Sequence, residues 1–244
     1  LMRSSAASDV YKRQPDKERE EKVTLYRKHP LMGWIGIYLD EICGGRFDFS
    51  DTEDFRHLKY TYQVSDTPRI CYNEVVLPQQ LQCRYVRYKA MEWKNTNIGE
   101  LLFWGGETRY FPKTVKGAPA ENPVNVQERM FDDDPLTYYS TRLPGATLLL
   151  DFGKQVEMDR FIFIPRNDDN FIRIGDTYEL YYHDGRNGWV SLGRKTASAP
   201  ELVYDNMPRG ALFHLRCLTR GEEEQAFHIK DGKQVFISNL SYIR

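Results

Sequence analysis

From Gly45 onward, apolar residues recur at every second position in short runs, and each run closes on a turn signal. A period of two puts alternate side chains on opposite faces of a strand, so one face of each run must be buried. In "CRYVRYKA", Val86, Tyr88 and Ala90 share a face; "ELLFWG" follows and ends at Gly105–Gly106. "ATLLLDFG" and "RFIFIPR" come next, then "TYELYYHDGRNGWVSLG", which reads as a hairpin. There Tyr178, Leu180 and Tyr182 alternate, "DGRNG" turns, and Trp189 opens the return strand, where a place in the core is expected. "ALFHLRCL" sets Ala211, Phe213, Leu215 and Cys217 on one face. Nothing alternates helix with strand, so a parallel sheet has no support. The pattern predicts a mainly β chain folded as an antiparallel sandwich.

Before Gly45 the period is different. Leu31, Trp34, Ile35, Tyr38, Leu39 and Ile42 fall on one helical face. Pro30 suits a first turn and Gly44–Gly45 a stop. Gly33 and Gly36 each cost roughly 1 kcal/mol against Ala inside a helix, so packing must hold this short N-terminal helix. "PKTVKGAPAENP", Pro112 to Pro123, carries three prolines and reads as a domain edge. "RFDFSDTEDF" and "MFDDDPLTYY" both place an acidic turn after a Phe, a faint internal echo. Two tandem β domains are therefore expected, 23–115 and 116–244, with the charge run at 15–22 as a linker.

The first residues are of another kind. "SSAASDVYKRQ", Ser4 to Gln14, has no cap, no apolar period and no signal-peptide core. Back-translated, it resembles an in-frame read of a transposon-based sequencing adapter. The expectation is that residues 1–14 are an adapter-derived tail and that the chain is the C-terminal part of something longer.

The whole chain has 34 basic and 35 acidic residues. Leaving out Arg3, Lys12, Arg13 and Asp9 gives 31 and 34, a net charge of −3. No basic stripe is present to neutralise phosphates, so nucleic acid is not an expected partner. No run approaches the roughly 18 apolar residues of a membrane span. Cys43, Cys71, Cys83 and Cys217 form no CxxC pair and are either isolated thiols or one of three pairings. GxSxG, HExxH and P-loop motifs are absent, and the five histidines are scattered, so no catalytic residue is assigned.

Two constellations carry chemistry. Asp132-Asp133-Asp134 with Thr137 forms a tight acidic turn that either gathers oxygens for a hard cation or is simply a solvated turn. "TYYST" offers Tyr138 and Tyr139, and "PRNDDNF" offers Arg166, Asn167, Asp168, Asp169, Asn170 and Phe171 on a loop after a buried strand. A sugar site needs a flat apolar face and fixed polar groups, and loops on rigid sandwiches supply both. The competing reading is that Arg166 braces the loop and one Tyr points into the core.

"FDDDPLTYYST", "LLLDFGKQVEMDRFIFIPRNDDN", "GDTYELYYHDGRNGWVSLG" and "ALFHLRCLTRGEEEQAF" follow in that order. Together they resemble the discoidin, or coagulation factor 5/8 type C, domain, to whose group family 32 carbohydrate-binding modules belong. The first half ("GGRFDFSDTEDF", "CRYVRYKA", "NIGELLFWG") is similar to modules that precede such domains in multidomain proteins of glycan-degrading gut bacteria. The resemblance implies a galactose-binding-like jelly-roll sandwich. It also implies a structural calcium at Asp132, Asp134, Thr137 and Glu224. The partners it implies are a glycan or glycoprotein and a lost N-terminal catalytic domain of the same chain. It implies an exported protein (periplasmic, cell-surface or secreted) whose modules carry that enzyme to its substrate without catalysing anything. The alternative is a structural or protein-interaction pair that braces a transglutaminase- or peptidase-like domain.

Overall fold

A computed structural model describes residues 19–27, 35–223 and 225–237. The adapter-like tail, Leu31, Trp34 and Glu224 lie outside the described residues. In chain order the elements are β1 (Arg19–Leu25), α1 (Ile35–Ile42), β2 (Arg46–Ser50), β3 (Leu58–Gln63), β4 (Asn73–Lys89) and β5 (Thr96–Gly105). Then come β6 (Thr108–Tyr110), β7 (Thr114–Gly117), β8 (Tyr139–Thr141) and β9 (Thr147–Pro165). The last are β10 (Thr177–His183), β11 (Trp189–Thr196), β12 (Leu202–Pro208), β13 (Leu212–Cys217), β14 (Glu222–Glu223), β15 (Phe227–Lys230) and β16 (Lys233–Phe236). A 3-10 turn occupies Gln127–Phe131. The fold is mainly β and sandwich-like, with antiparallel sheets and one α-helix among the described residues.

The chain divides into two compact units, residues 34–168 and residues 1–33 with 169–244. This departs from the expected boundary at 115/116. β4 and β9 are long strands that pair antiparallel from Asn73↔Phe163 to Lys89↔Thr147, and β7, which spans the expected boundary, pairs with β9. A ladder this long ties both sides of residue 115 into one sheet, and three prolines do not outweigh it. The expected linker at 15–22 is corrected too. β1 begins at Arg19 and pairs with β12, with Val23 and Leu25 buried. Its charges sit on a strand that hydrogen-bonds through the backbone, which a charge run does not forbid.

The unit of residues 34–168 carries the sheet β3-β2-β4-β9-β5-β6, with β7 on β9 and β8 on β5. Its core is rich in rings. Phe47 packs at a tilt against Tyr88, Phe161 and Phe163, at centroid distances of 4.9, 5.0 and 5.8 Å. Each such buried phenyl contributes roughly 1.5–3 kcal/mol. Val86, Tyr88 and Ala90 share the buried face as their alternation predicts. Helix α1 closes on this core through Ile42 and stops at Gly44, whose φ of 80° suits glycine. A Cβ on Gly44 would lie 2.0 Å from the Met91 sulfur.

The other unit has its own core, built from Val23, Leu25, Tyr178, Leu180, Phe213, Leu215 and Cys217 among others. Its sheet runs β11-β10-β13-β15-β16, with β14 beside β13, and β1 pairs with β12. The predicted hairpin is present. Asp184 N donates to Gly188 O, and the Asp184 carboxylate accepts from the N–H groups of Arg186 and Asn187. All four cysteines are free thiols, three of them buried.

Candidate functional site

The predicted loop cluster comes together only in part. Arg166 follows β9 and lies between two rings, 3.9 Å from the Tyr38 centroid and 4.1 Å from that of Tyr138. Its Nε donates to Asp168 Oδ1 at 2.8 Å and its Nη2 to Asp168 Oδ2 at 3.3 Å. Burial disfavours the charge, but the Asp168 carboxylate outweighs it and raises the Arg166 pKa. A guanidinium that holds two tyrosine faces and a carboxylate spends its donors and both rings on itself. This is the bracing arrangement. Tyr38, from α1, is the partner that the sequence did not reveal.

The other loop residues are turned inward. Tyr139 is fully buried and its hydroxyl donates to Ala118 O at 2.8 Å, so it is the tyrosine of the pair that points into the core. Asn167 is 1% exposed and donates to Pro135 O at 2.8 Å. Asn170 and Phe171 are also buried. These four are corrected as surface ligands, because the chain turns sharply here. Asp168 and Asp169 both adopt positive φ, 44° and 64°, a conformation Asp tolerates better than most residues. Asp169 is held by Arg27 at 2.6 Å and by Arg173 at 2.5 Å.

The acidic turn is closed by its own hydrogen bonds. Asp132 accepts from Thr137 Oγ1 at 2.9 Å, from Arg129 Nη1 at 3.1 Å and from the N–H of Asp134 at 3.1 Å. Asp134 accepts from the N–H of Leu136 at 3.0 Å, and Asp133 pairs with Arg109. Burial opposes charge on Asp132, but these donors prevail and lower its pKa. Glu100, on β5, is 1% exposed, and neither carboxylate oxygen meets a donor. Burial first, and the carboxylates of Asp132 and Asp133 next, push its pKa up to about 8. Among the described residues no group of three or more His, Cys, Asp or Glu side chains is placed to hold a metal ion.

The exposed recognition chemistry lies elsewhere. In the β10–β11 register His183 faces Trp189, while Tyr182 faces Val190. Trp189 therefore sits on the face opposite the core, and the expected core placement is corrected. Its indole is 45% exposed. His183 meets it edge-on at 5.5 Å and 87°, and His214 of β13 lies at 5.6 Å and 51°. Tyr181 is the cross-strand neighbour of His214. Beyond it Glu179 accepts from Ser191 Oγ at 2.7 Å and Arg194 Nε at 2.9 Å. Ser191, then Tyr181, holds the Glu179 carboxyl below its ordinary range. The face is thus an aromatic surface bordered by imidazoles and an ordered polar network. Parity was the signal for it. His214 alternates with Phe213 and Leu215, and His183 with Tyr182, so both histidines must leave the core.

No protein-family model matches this chain, and no curated protein or solved structure is significantly similar to it.

Proposed function

We infer that this chain is a non-catalytic carbohydrate-binding accessory protein of the discoidin, factor 5/8 type C kind, whose β-sandwich units deliver a partner catalytic domain to a glycan or glycoprotein outside the cell. The observation that carries this reading is the exposed Trp189 between His183 and His214. A sugar ring presents an apolar C–H face and equatorial hydroxyls, which an indole face and flanking imidazoles match. The polar groups are held by the sheet, so little side-chain entropy is lost on binding. Single sites of this kind are weak, and linkage to an enzyme raises their value through effective concentration.

The test is a glycan array probed with the full chain and with W189A. Binding of the full chain that falls at least tenfold in W189A, about 1.4 kcal/mol or more, is the expected result. An array silent for the full chain would overturn the reading. It would favour the structural or protein-interaction reading. The calcium implied by the resemblance has a separate test. With the acidic turn closed on itself, chelator should leave the melting temperature unchanged, whereas a rise on adding calcium would show that further oxygens complete the site.

A further inference from the structure

A cleft of about 680 Å³ opens beside β7, in the unit of residues 34–168. It is lined by Phe111, Lys113, Lys116, Gln127, Glu128 and Phe131, among others. Neither the loop cluster nor the Trp189 face includes any of them. The volume is within the range of roughly 300–1,000 Å³ that ligand pockets occupy. Phe111 is 50% exposed, and the Arg109 guanidinium stacks on it at 4.4 Å. Phe131 ends the 3-10 turn and packs partly against the core, which fixes its ring.

The charges of the cleft are unevenly satisfied. Lys113 is exposed, and its ammonium has no hydrogen-bond or ion-pair partner among the described residues. Lys116 meets Glu53 at 3.2 Å, but both side chains are more than half exposed, so the pair is weak and easily exchanged. Gln127 is committed to Ala118 O at 2.9 Å, and Glu128 is the one carboxylate of the lining. With Lys116 shared with Glu53 and Glu128 the carboxylate of the lining, Lys113 is, among the described residues, the unpaired cation beside the two ring faces.

The geometry points to a second ligand site here, for a sugar residue that carries an anionic group, either a carboxylate or a sulfate. The rings of Phe111 and Phe131 take the apolar face of the sugar, and Lys113 and Lys116 take the anion. Glu128 accepts from hydroxyls and disfavours a ligand with two adjacent anions. Gly117 also lines the cleft; its φ is 147°, and a Cβ there would lie 2.1 Å from Thr147 O. β7 can press onto β9 only without a side chain there.

The experiment is calorimetric titration of the full chain with alginate, dextran sulfate and unmodified dextran, then of K113A/K116A and W189A. Lysines this exposed can be removed without unfolding the unit, which near-ultraviolet circular dichroism verifies. Binding of alginate identifies a carboxylate, and binding of dextran sulfate a sulfate. In either case affinity should drop about tenfold or more in K113A/K116A and weaken as salt rises. Failure of both anionic polymers to bind overturns the proposal, as does equal binding by K113A/K116A. Loss in W189A but not in K113A/K116A would move the anion to the Trp189 face, overturning this site while supporting the other.

Discussion

Glu100 shows how a single side chain can couple a β-sandwich to pH. It is buried against Asp132 and Asp133, and its folded pKa of about 8 stands well above the ordinary 4.5. Between these values the folded state binds the proton and the unfolded state does not. Stability therefore falls as pH rises through that window. The expected span is on the order of a few kcal/mol, since each pH unit of proton linkage is worth about 1.4 kcal/mol at most. Urea unfolding at pH 5, 6, 7 and 8 should show the decline. In E100Q, which cannot titrate, the decline should flatten. An unchanged pH slope in the variant would show that another group is responsible. Nothing in the sequence marked Glu100, because "NIGELL" reads as a strand with one polar residue. Its isolation from donors depends on the turn that packs over it.

At the scale of elements, the close approach of β7 to β9 is the feature most exposed to mutation. G117A forces a Cβ against Thr147 O and asks Ala for a φ that it rarely adopts. The expected cost is about 2 kcal/mol, within the range for a strained backbone position, read as a lower urea midpoint. Hydrogen exchange should rise at Val115 and Gly117 before the rest of the sheet. The β10–β11 hairpin is the contrasting case. Its strands, turn and buried face all follow from period and turn chemistry, and the structure repeats them with Asp184 closing the turn. One side chain escaped that reading. Trp189 was assigned to the core because it opens the return strand, although its cross-strand neighbour is His183 and not Tyr182.

For the whole molecule, two separate cores should give two unfolding events. Arg27 provides the means to assign them. Its side chain is fully buried and pairs with Asp169 and with Glu222, both at 2.6 Å, inside the unit that holds β1 and β10–β16. R27M removes the Arg27 partner of Glu222, leaves Asp169 to Arg173, and should destabilise that unit by about 3 kcal/mol, the usual result of breaking a buried pair. Differential scanning calorimetry should resolve two components, one lowered by R27M alone and the other sensitive to G117A. A single transition moved equally by both variants would contradict two independent cores.

What the sequence determined by itself is local and periodic. The alternation of Val86, Tyr88 and Ala90, the DGRNG turn and the Gly44–Gly45 stop each follow from forces between near neighbours, so strands, hairpin and helix end were legible. It also brought Tyr138, Arg166 and Asp168 into one cluster. Which groups were left to face a ligand was decided only by tertiary structure. Pairing of β4 with β9 joined positions 58 to 90 residues apart, from Lys89↔Thr147 to Asn73↔Phe163, and erased the boundary at 115/116. Burial of Tyr139, Asn167, Asn170 and Phe171 took half of the predicted loop site out of solvent. Cross-strand register placed Trp189 with His183 and His214, and the seating of β7 opened the Phe111–Phe131 cleft. These are contacts between residues far apart in the chain, whose free energy depends on register and packing that no local period encodes.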